Sequence, residues 1–296
     1  MRRRYVQTGL ALLLAALLAA LLASCDGGRA VDPGKSLLEH IQSAGAVRVG
    51  YANEAPYAYL DTKTGRLTGE APEIARAVFK RMGVNEVEGV LTEFGSLIPG
   101  LKASRFDIIA AGMYITPARC QQVAFSNPTY RIGEAFVVKA GNPLGLHGYE
   151  EVAANPKARL GVVAGTVERG YARGMGVPDA QVIVFPDAPS ALAGVEAGRV
   201  DAYAGTSLTV QDLLRKAGTP GLEKAEPFRD PVVDGKPLAG YGAFAFRKEN
   251  AALLEEFNRH LAEFIGSPEH LALVRPFGFT EAQLPNGVTA AELCAQ

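Results

Sequence analysis

The sequence predicts an α/β protein of two lobes, the second inserted into the first, and three observations carry that expectation. Short apolar or alternating runs recur between amphipathic stretches along most of the chain, the pattern of strands alternating with helices. The alternation restarts after Gly141-Asn142-Pro143. A late strand at Gly240–Phe246 is followed by two helical stretches, Asn250–Ile265 and Pro268–Val274, that are assigned to the first lobe. The first lobe is therefore discontinuous, and two crossings join it to the second. The expected division is a leader at 1–24, a tether and lead-in at 25–44, a first lobe at 45–138 and 239–296, and a second lobe at 139–238, hinged near Lys139 and Leu238.

Taken in order, Leu37–Ser43 is a short helix and Val47–Tyr51 a strand with β-branched alternation, followed by a loop at Ala52–Tyr57. Tyr59-Leu60 leads to a turn around Thr64-Gly65. Glu70–Met82 carries Ile74, Ala77, Val78 and Met82 on one helical face. Val87–Thr92 is a strand, Phe94 stands at its end, and Ser96–Ala103 is a helix. In the second lobe Val152–Asn155 is helical and Leu160–Val163 a strand. Gly165-Thr166 opens a helix to about Arg173, and Gln181–Phe185 is a strand. Ser190–Ala197 is a helix, Val200–Ala204 a strand, Leu208–Ala217 a helix and Val232–Pro237 a turn-rich return. Glu134–Lys139 and Gly240–Phe246 share a glycine-led apolar pattern and are expected to pair at the crossings.

Phe106–Arg119, FDIIAAGMYITPAR, organises the first lobe. Asp107–Gly112 is short and apolar, as in a strand covered on both faces of a parallel sheet. Thr116 suits an N-cap and Pro117 the first helical position, which puts Arg119 in the first turn, where a cation opposes the helix dipole. Arg119 is thus better suited to meeting an anion at the strand's carboxyl end than to stabilising the helix. Asp107 and Asp201 are expected to hold loop backbone at strand starts.

Composition excludes several classes. The chain has 296 residues, is 48% hydrophobic and has a net charge of -1. Without Arg2, Arg3 and Arg4 that charge becomes about -4. No basic stripe with interleaved aromatics points to nucleic acid. Arg2-Arg3-Arg4 precedes thirteen residues, Leu10–Leu22, that are all Ala or Leu, and Leu22-Ala23-Ser24-Cys25 follows. The run is short of the ~20 residues of a spanning helix and reads as an export signal. Its end resembles a bacterial lipobox, which implies acylation of Cys25; cleavage as an ordinary signal peptide is the alternative. Residues 26–36 are rich in Gly, Pro and polar residues, as in a tether. Cys120 and Cys294 form an even pair in an oxidising compartment and are read as a disulfide, with two free thiols as the alternative. Four scattered histidines give no metal spacing, and neither metal nor cofactor is expected.

The order of Glu93-Phe94-x-x-Leu97-Ile98-Pro99-x-Leu101, Phe106-Asp107, Gly112-Met113-x-Ile115-Thr116-Pro117-x-Arg119, Gly165-Thr166 and Gly198-Arg199-Val200-Asp201-Ala202 resembles the amino-acid-type solute receptors of ABC importers. The likeness covers residues 45–280. It implies a two-lobed periplasmic-binding-protein clamp of type II with two hinge crossings. Such a clamp is an extracytoplasmic monomer that closes on one small molecule and presents it to a membrane permease. The fuller runs Ala52–Tyr57, Gly69–Ala75, Gly112–Pro117 and Pro186–Ala191 resemble the ectoine/hydroxyectoine receptors within that class. Two departures from the amino-acid pattern stand out. Tyr114 occupies a place where a small Ser is usual, and Thr206 one where an Asp usually holds the α-ammonium.

Tyr57, Phe94 and Tyr114 fall at carboxyl ends of first-lobe strands, where three rings suit a delocalised cation. Arg119 suits the ligand's carboxylate and Glu54 its N–H. From the second lobe come Gly165, Thr166 with its backbone amides, and Thr206, while Thr116 caps the arginine's turn. Core packing of the rings and a surface role for Glu54 are the plain alternatives. Two rival functions remain. One is a receptor for a polar or cationic amino acid. The other is a dehydratase of cyclic carboxylates using Glu54 or Glu168 as acid, for which no partner base is evident.

Overall fold

The structure is a computed structural model that describes residues 34–218, 220–233 and 236–295. Cys25 and the leader lie outside the described residues. Two mixed sheets form the two lobes. In the first, β1 (Ala46–Tyr51) runs parallel to β2 (Glu86–Leu91) and β3 (Ile108–Tyr114), and β4 (Gly240–Phe246) lies antiparallel on the far side of β3. In the second, β5 (Leu160–Val163) runs parallel to β6 (Val182–Phe185) and β7 (Ala202–Thr206). There β8 (Glu134–Lys139) lies antiparallel on β7. Each sheet is thus a parallel trio beside an antiparallel strand from a crossing, extended by short antiparallel strands at Ala124–Phe125 and Tyr130–Ile132 in the first sheet and at Leu222–Lys224 in the second. The parallel trios point their carboxyl ends at the cleft. The strand at 107–112 is buried as expected, but its sheet is mixed because the returning chain runs down beside it.

The expected pairing of the two glycine-led strands does not occur. Gly240–Gly242 pairs with Tyr130–Ile132 of its own sheet, whereas Glu134–Lys139 bonds within the second sheet. The first crossing therefore falls at Ile132–Glu134, ahead of the boundary after residue 138 and the hinge near Lys139 that the sequence suggested. Gly133 sits at that crossing because a Cβ there would lie 2.8 Å from the Asp230 carboxylate of the return segment.

Local chemistry explains the elements. The helix α1 (Leu37–Ala44) is started by a Ser36/Glu39 capping box, ends on Gly45 in the left-handed region, and packs Ile41 into the first core. Helix α2 (Glu70–Arg81) buries Ile74, Ala75, Val78 and Phe79 on one face. Leu253, Phe257, Leu261 and Phe264 line one face of α3 (Ala251–Phe264) and join the same core. Each of the Ile, Val, Leu and Phe side chains contributes about 1.5–3 kcal/mol by leaving water. Asp107 accepts the Arg48 backbone N–H at 2.9 Å and its guanidinium at 2.9 Å; Asp201 accepts the Arg159 N–H at 2.8 Å. The same device therefore ties strand starts in both lobes. Cys120 and Cys294 are bonded, with Cα atoms 5.7 Å apart, joining the turn Pro117–Cys120 to the last helix, Ala290–Cys294.

Candidate functional site

Seven of the nine residues expected at a ligand site line one cavity between the lobes: Glu54, Tyr57, Phe94, Tyr114, Arg119, Thr166 and Thr206, joined by Gly112, Val167 and Glu168. The cavity between them is narrow, about 30 Å³. Of the other two, Thr116 accepts the Arg119 N–H at 3.3 Å and holds its turn, and Gly165 supplies a carbonyl to Arg119.

Arg119 is 9% exposed. Its Nη1 donates to Tyr114 O at 2.8 Å and its Nη2 to Gly165 O at 2.9 Å, so one arginine bridges the two lobes. Each terminal nitrogen keeps a second N–H, the pair a carboxylate takes in bidentate fashion. The helix over Pro117–Cys120 is a single turn, so the expected opposition between Arg119 and a helix dipole is slight. Burial lowers the Arg119 pKa, and the Glu168 charge opposes that shift.

The aromatic residues serve core and cavity at once. Tyr57 and Tyr114 belong to the first lobe's core, and the Phe94 ring lies 5.5 Å from the Arg119 guanidinium carbon. Beneath them is Tyr130, which the sequence reading passed over. Its ring stacks on Tyr57 at 5.2 Å and meets Tyr114 edge-on at 6.3 Å, and its hydroxyl donates to Gly112 O at 2.8 Å. The Tyr114 ring lies where a Cβ of Gly240 would be, at 1.8 Å, so glycine at 240 admits the ring. The Tyr114 hydroxyl is buried without a hydrogen-bond partner.

Cross-lobe hydrogen bonds close the site. Tyr57 donates to Thr206 Oγ1 at 2.8 Å, and Thr209 donates to Glu54 Oε1 at 2.8 Å. Thr206 is also the N-cap of the helix Ser207–Ala217. Burial pushes the Glu54 carboxyl up to about 7 against the Thr209 bond, and the Glu168 charge adds to the rise. Burial raises Glu168 as well. Thr166 departs from expectation: its helix begins only at Glu168, and its N–H and hydroxyl both turn back to Val163 O, at 3.4 and 2.9 Å. Its amide is therefore engaged in a turn rather than offered to the cavity. Glu168, weighed in sequence only as an enzyme's acid, is buried at the cavity wall; its place three residues after Gly165 was visible, its burial was not.

Among the described residues no cluster of His, Cys, Asp and Glu is arranged to hold a metal, and no helix is long and apolar enough to cross a membrane.

Residues 47–280 match the family described as bacterial extracellular solute-binding proteins, family 3. The chain is 39% identical over 267 residues to a Sinorhizobium fredii protein named "Probable amino-acid ABC transporter periplasmic-binding protein y4tE", covering 88% of this chain and 87% of that one. Among solved structures it is similar to EhuB in complex with hydroxyectoine, at 38% identity and a TM-score of 0.79, covering 87% of this chain and 97% of that one. It is also similar to the ancestral amino acid-binding protein AncCDT-1, described as a precursor of cyclohexadienyl dehydratase, at 28% identity, a TM-score of 0.71 and coverage of 82% and 99%.

Proposed function

Since the chain belongs to the family 3 bacterial extracellular solute-binding proteins, and is an extracytoplasmic amino-acid-type receptor of an ABC importer rather than an enzyme, we propose that its ligand is ectoine or hydroxyectoine. The observation that carries this reading is the joint placement of Arg119 and the Tyr57, Phe94 and Tyr114 rings around one cavity whose position 206 is a threonine already bonded to Tyr57. A free α-ammonium concentrates its charge on a strongly hydrated nitrogen and is costly to bury without a carboxylate dedicated to it. A cyclic amidinium spreads the charge over a flat face that rings cover, each contact contributing ~0.5–2 kcal/mol.

In this reading Arg119 takes the ligand's carboxylate through its two remaining N–H groups, and Glu54 and Glu168 accept the ring N–H groups. Gly165 and Thr206 act by holding Arg119 and Tyr57, and Thr116 by holding the Arg119 turn. Thr166 contributes wall rather than amide. Closure brings both lobes onto the ligand about crossings at Ile132–Glu134 and Leu238–Gly240. Residues 1–24 serve as a lipoprotein signal, and Cys25 anchors a monomer to the membrane beside its permease.

Likeness to a hydroxyectoine-bound structure supports the reading. Two acids at the cavity, the buried Glu168 and the partly buried Glu54, favour one alternative, a cationic amino acid. A thermal-shift screen of ectoine, hydroxyectoine, glycine betaine, proline and arginine decides between them, since a ligand at 100 times its Kd stabilises by ~2.7 kcal/mol. A shift with arginine and none with ectoine would reject the proposal.

A further inference from the structure

Behind the cavity wall, next to Glu168, lies Glu134. Glu134 does not line the ligand cavity, yet it is 5% exposed, and neither of its carboxyl oxygens has a hydrogen-bond partner among the described protein donors. Its side chain is in contact with that of Glu168, whose Oε2 is equally without a donor. Two carboxylates that touch with no protein donor between them repel strongly, and the arrangement is stable when one of them carries a proton and donates it to the other. The groups facing the pair leave that proton in place. Arg119 approaches Glu168 from the first lobe; Glu54 faces both acids. Asp230, on the return segment and near Lys224, accepts the Glu134 backbone N–H at 2.7 Å, which places a further negative charge beside Glu134. The hydroxyls of Tyr114, Tyr149, Tyr171 and Tyr203 complete the surroundings.

We propose that Glu134 is a positioning residue for ligand charge: it holds a proton shared with Glu168, so that the pair carries one negative charge rather than two. The cavity then presents the Arg119 cation and one negative charge from the pair, beside Glu54, whose carboxyl is pushed by burial up to about 7. A zwitterion fits that arrangement with no change of protonation, its carboxylate on Arg119 and its cationic group on Glu168. A ligand of net positive charge fits only if a further proton leaves the site's acids, from the pair or from Glu54, for solvent. Glu134 thereby selects against net cations without touching the ligand. The inference rests on the proposed zwitterionic ligand for its consequence, but not for the shared proton itself. Burial and the neighbouring Glu168 and Asp230 charges push the Glu134 carboxyl well above the usual range, in the same sense.

Infrared difference spectroscopy tests the proton. At pH 7 the wild type shows a protonated-carboxyl C=O band that is missing in Glu134→Gln and survives addition of ectoine. Calorimetry in buffers of different ionisation enthalpy tests the consequence. Glu134→Gln, which mimics the protonated state, binds ectoine within about twofold of wild type and exchanges the same number of protons on binding, since twofold is under ~0.5 kcal/mol. Spectra without a band assignable to residue 134, loss of that band on ectoine binding, or one extra proton released by the wild type would each overturn the inference. If ectoine does not bind at all, the proposed ligand fails while the band still decides whether Glu134 holds a proton.

Discussion

Gly95 and Gly165 meet across the interlobe cleft: a Cβ at Gly165 would fall 2.4 Å from Gly95 Cα. Gly165 also has φ +80°, a conformation that costs other residues energy. Its carbonyl accepts the Arg119 hydrogen bond, so the same contact that lets the lobes touch positions the arginine. Gly165→Ala is expected to leave each lobe folded but hold the lobes apart, weakening ligand binding by about tenfold or more, that is ~1.4 kcal/mol. Small-angle scattering at ligand saturation should show a larger radius of gyration than wild type. Equal radii and equal affinities would mean that closure does not depend on this contact.

The disulfide anchors the residue next to Arg119 to the C-terminal helix. Breaking it by Cys294→Ala should lower stability by ~2–4 kcal/mol. Denaturant titration with and without reductant measures this: wild type should lose stability on reduction, and Cys294→Ala should be indifferent. A wild type insensitive to reductant would contradict the account.

Glu70 supplies a pH dependence. It is 1% exposed, accepts the Thr129 hydroxyl at 2.7 Å, and burial raises its pKa to about 8. The folded state keeps the proton while the unfolded state, titrating near 4.5, loses it. The unfolded state therefore binds fewer protons over that window, and the Glu70 contribution falls as pH rises from about 4.5 to about 8. Glu70→Gln keeps the acceptor for Thr129 and cannot ionise, so its stability should fall less between pH 5 and 8 than that of wild type. Parallel melting curves across that range would refute the assignment.

Tyr114 is both wall and core, so its substitutions must be read with a stability control. Tyr114→Ala should weaken ectoine binding by ~1–2 kcal/mol through the lost ring contact, and also lower stability by ~3–5 kcal/mol, the range for large aromatic truncations. Tyr114→Phe removes only a hydroxyl without a partner and should change the melting temperature little. Tyr114→Ser with Thr206→Asp should move preference toward a free amino acid, read as the ratio of the two affinities.

Much of this was legible in sequence, and the reasons for the rest are physical. The buried run at 107–112, the cap at Thr116 and the glycine at 165 are local signals, and local signals fix which side chains stand at strand ends. That sufficed to gather Glu54, Tyr57, Phe94, Tyr114 and Arg119. What escaped depends on contacts distant in the chain. Glu134–Lys139 follows Tyr130–Ile132 after one glycine, and nothing in either pattern says that they join different sheets. Tyr57 and Thr206 are separated by 149 residues, so the hydroxyl bond made at the position where an Asp is usual in amino-acid receptors could not be foreseen. Glu168 reads as an ordinary acid in a helix's first turn until the fold buries it against Glu134 and Arg119.

The central claim is that a buried arginine and three rings select a zwitterion with a delocalised cation, and one titration tests it most directly. Calorimetry of the wild-type protein should give tighter binding of ectoine than of arginine or glutamine. The Arg119→Ala variant should lose more ectoine affinity than Tyr114→Ala, because it leaves the ligand's carboxylate buried and unpaired. Arginine or glutamine binding more tightly than ectoine to the wild type would contradict the account and return the Tyr57 and Tyr114 rings to a purely structural role.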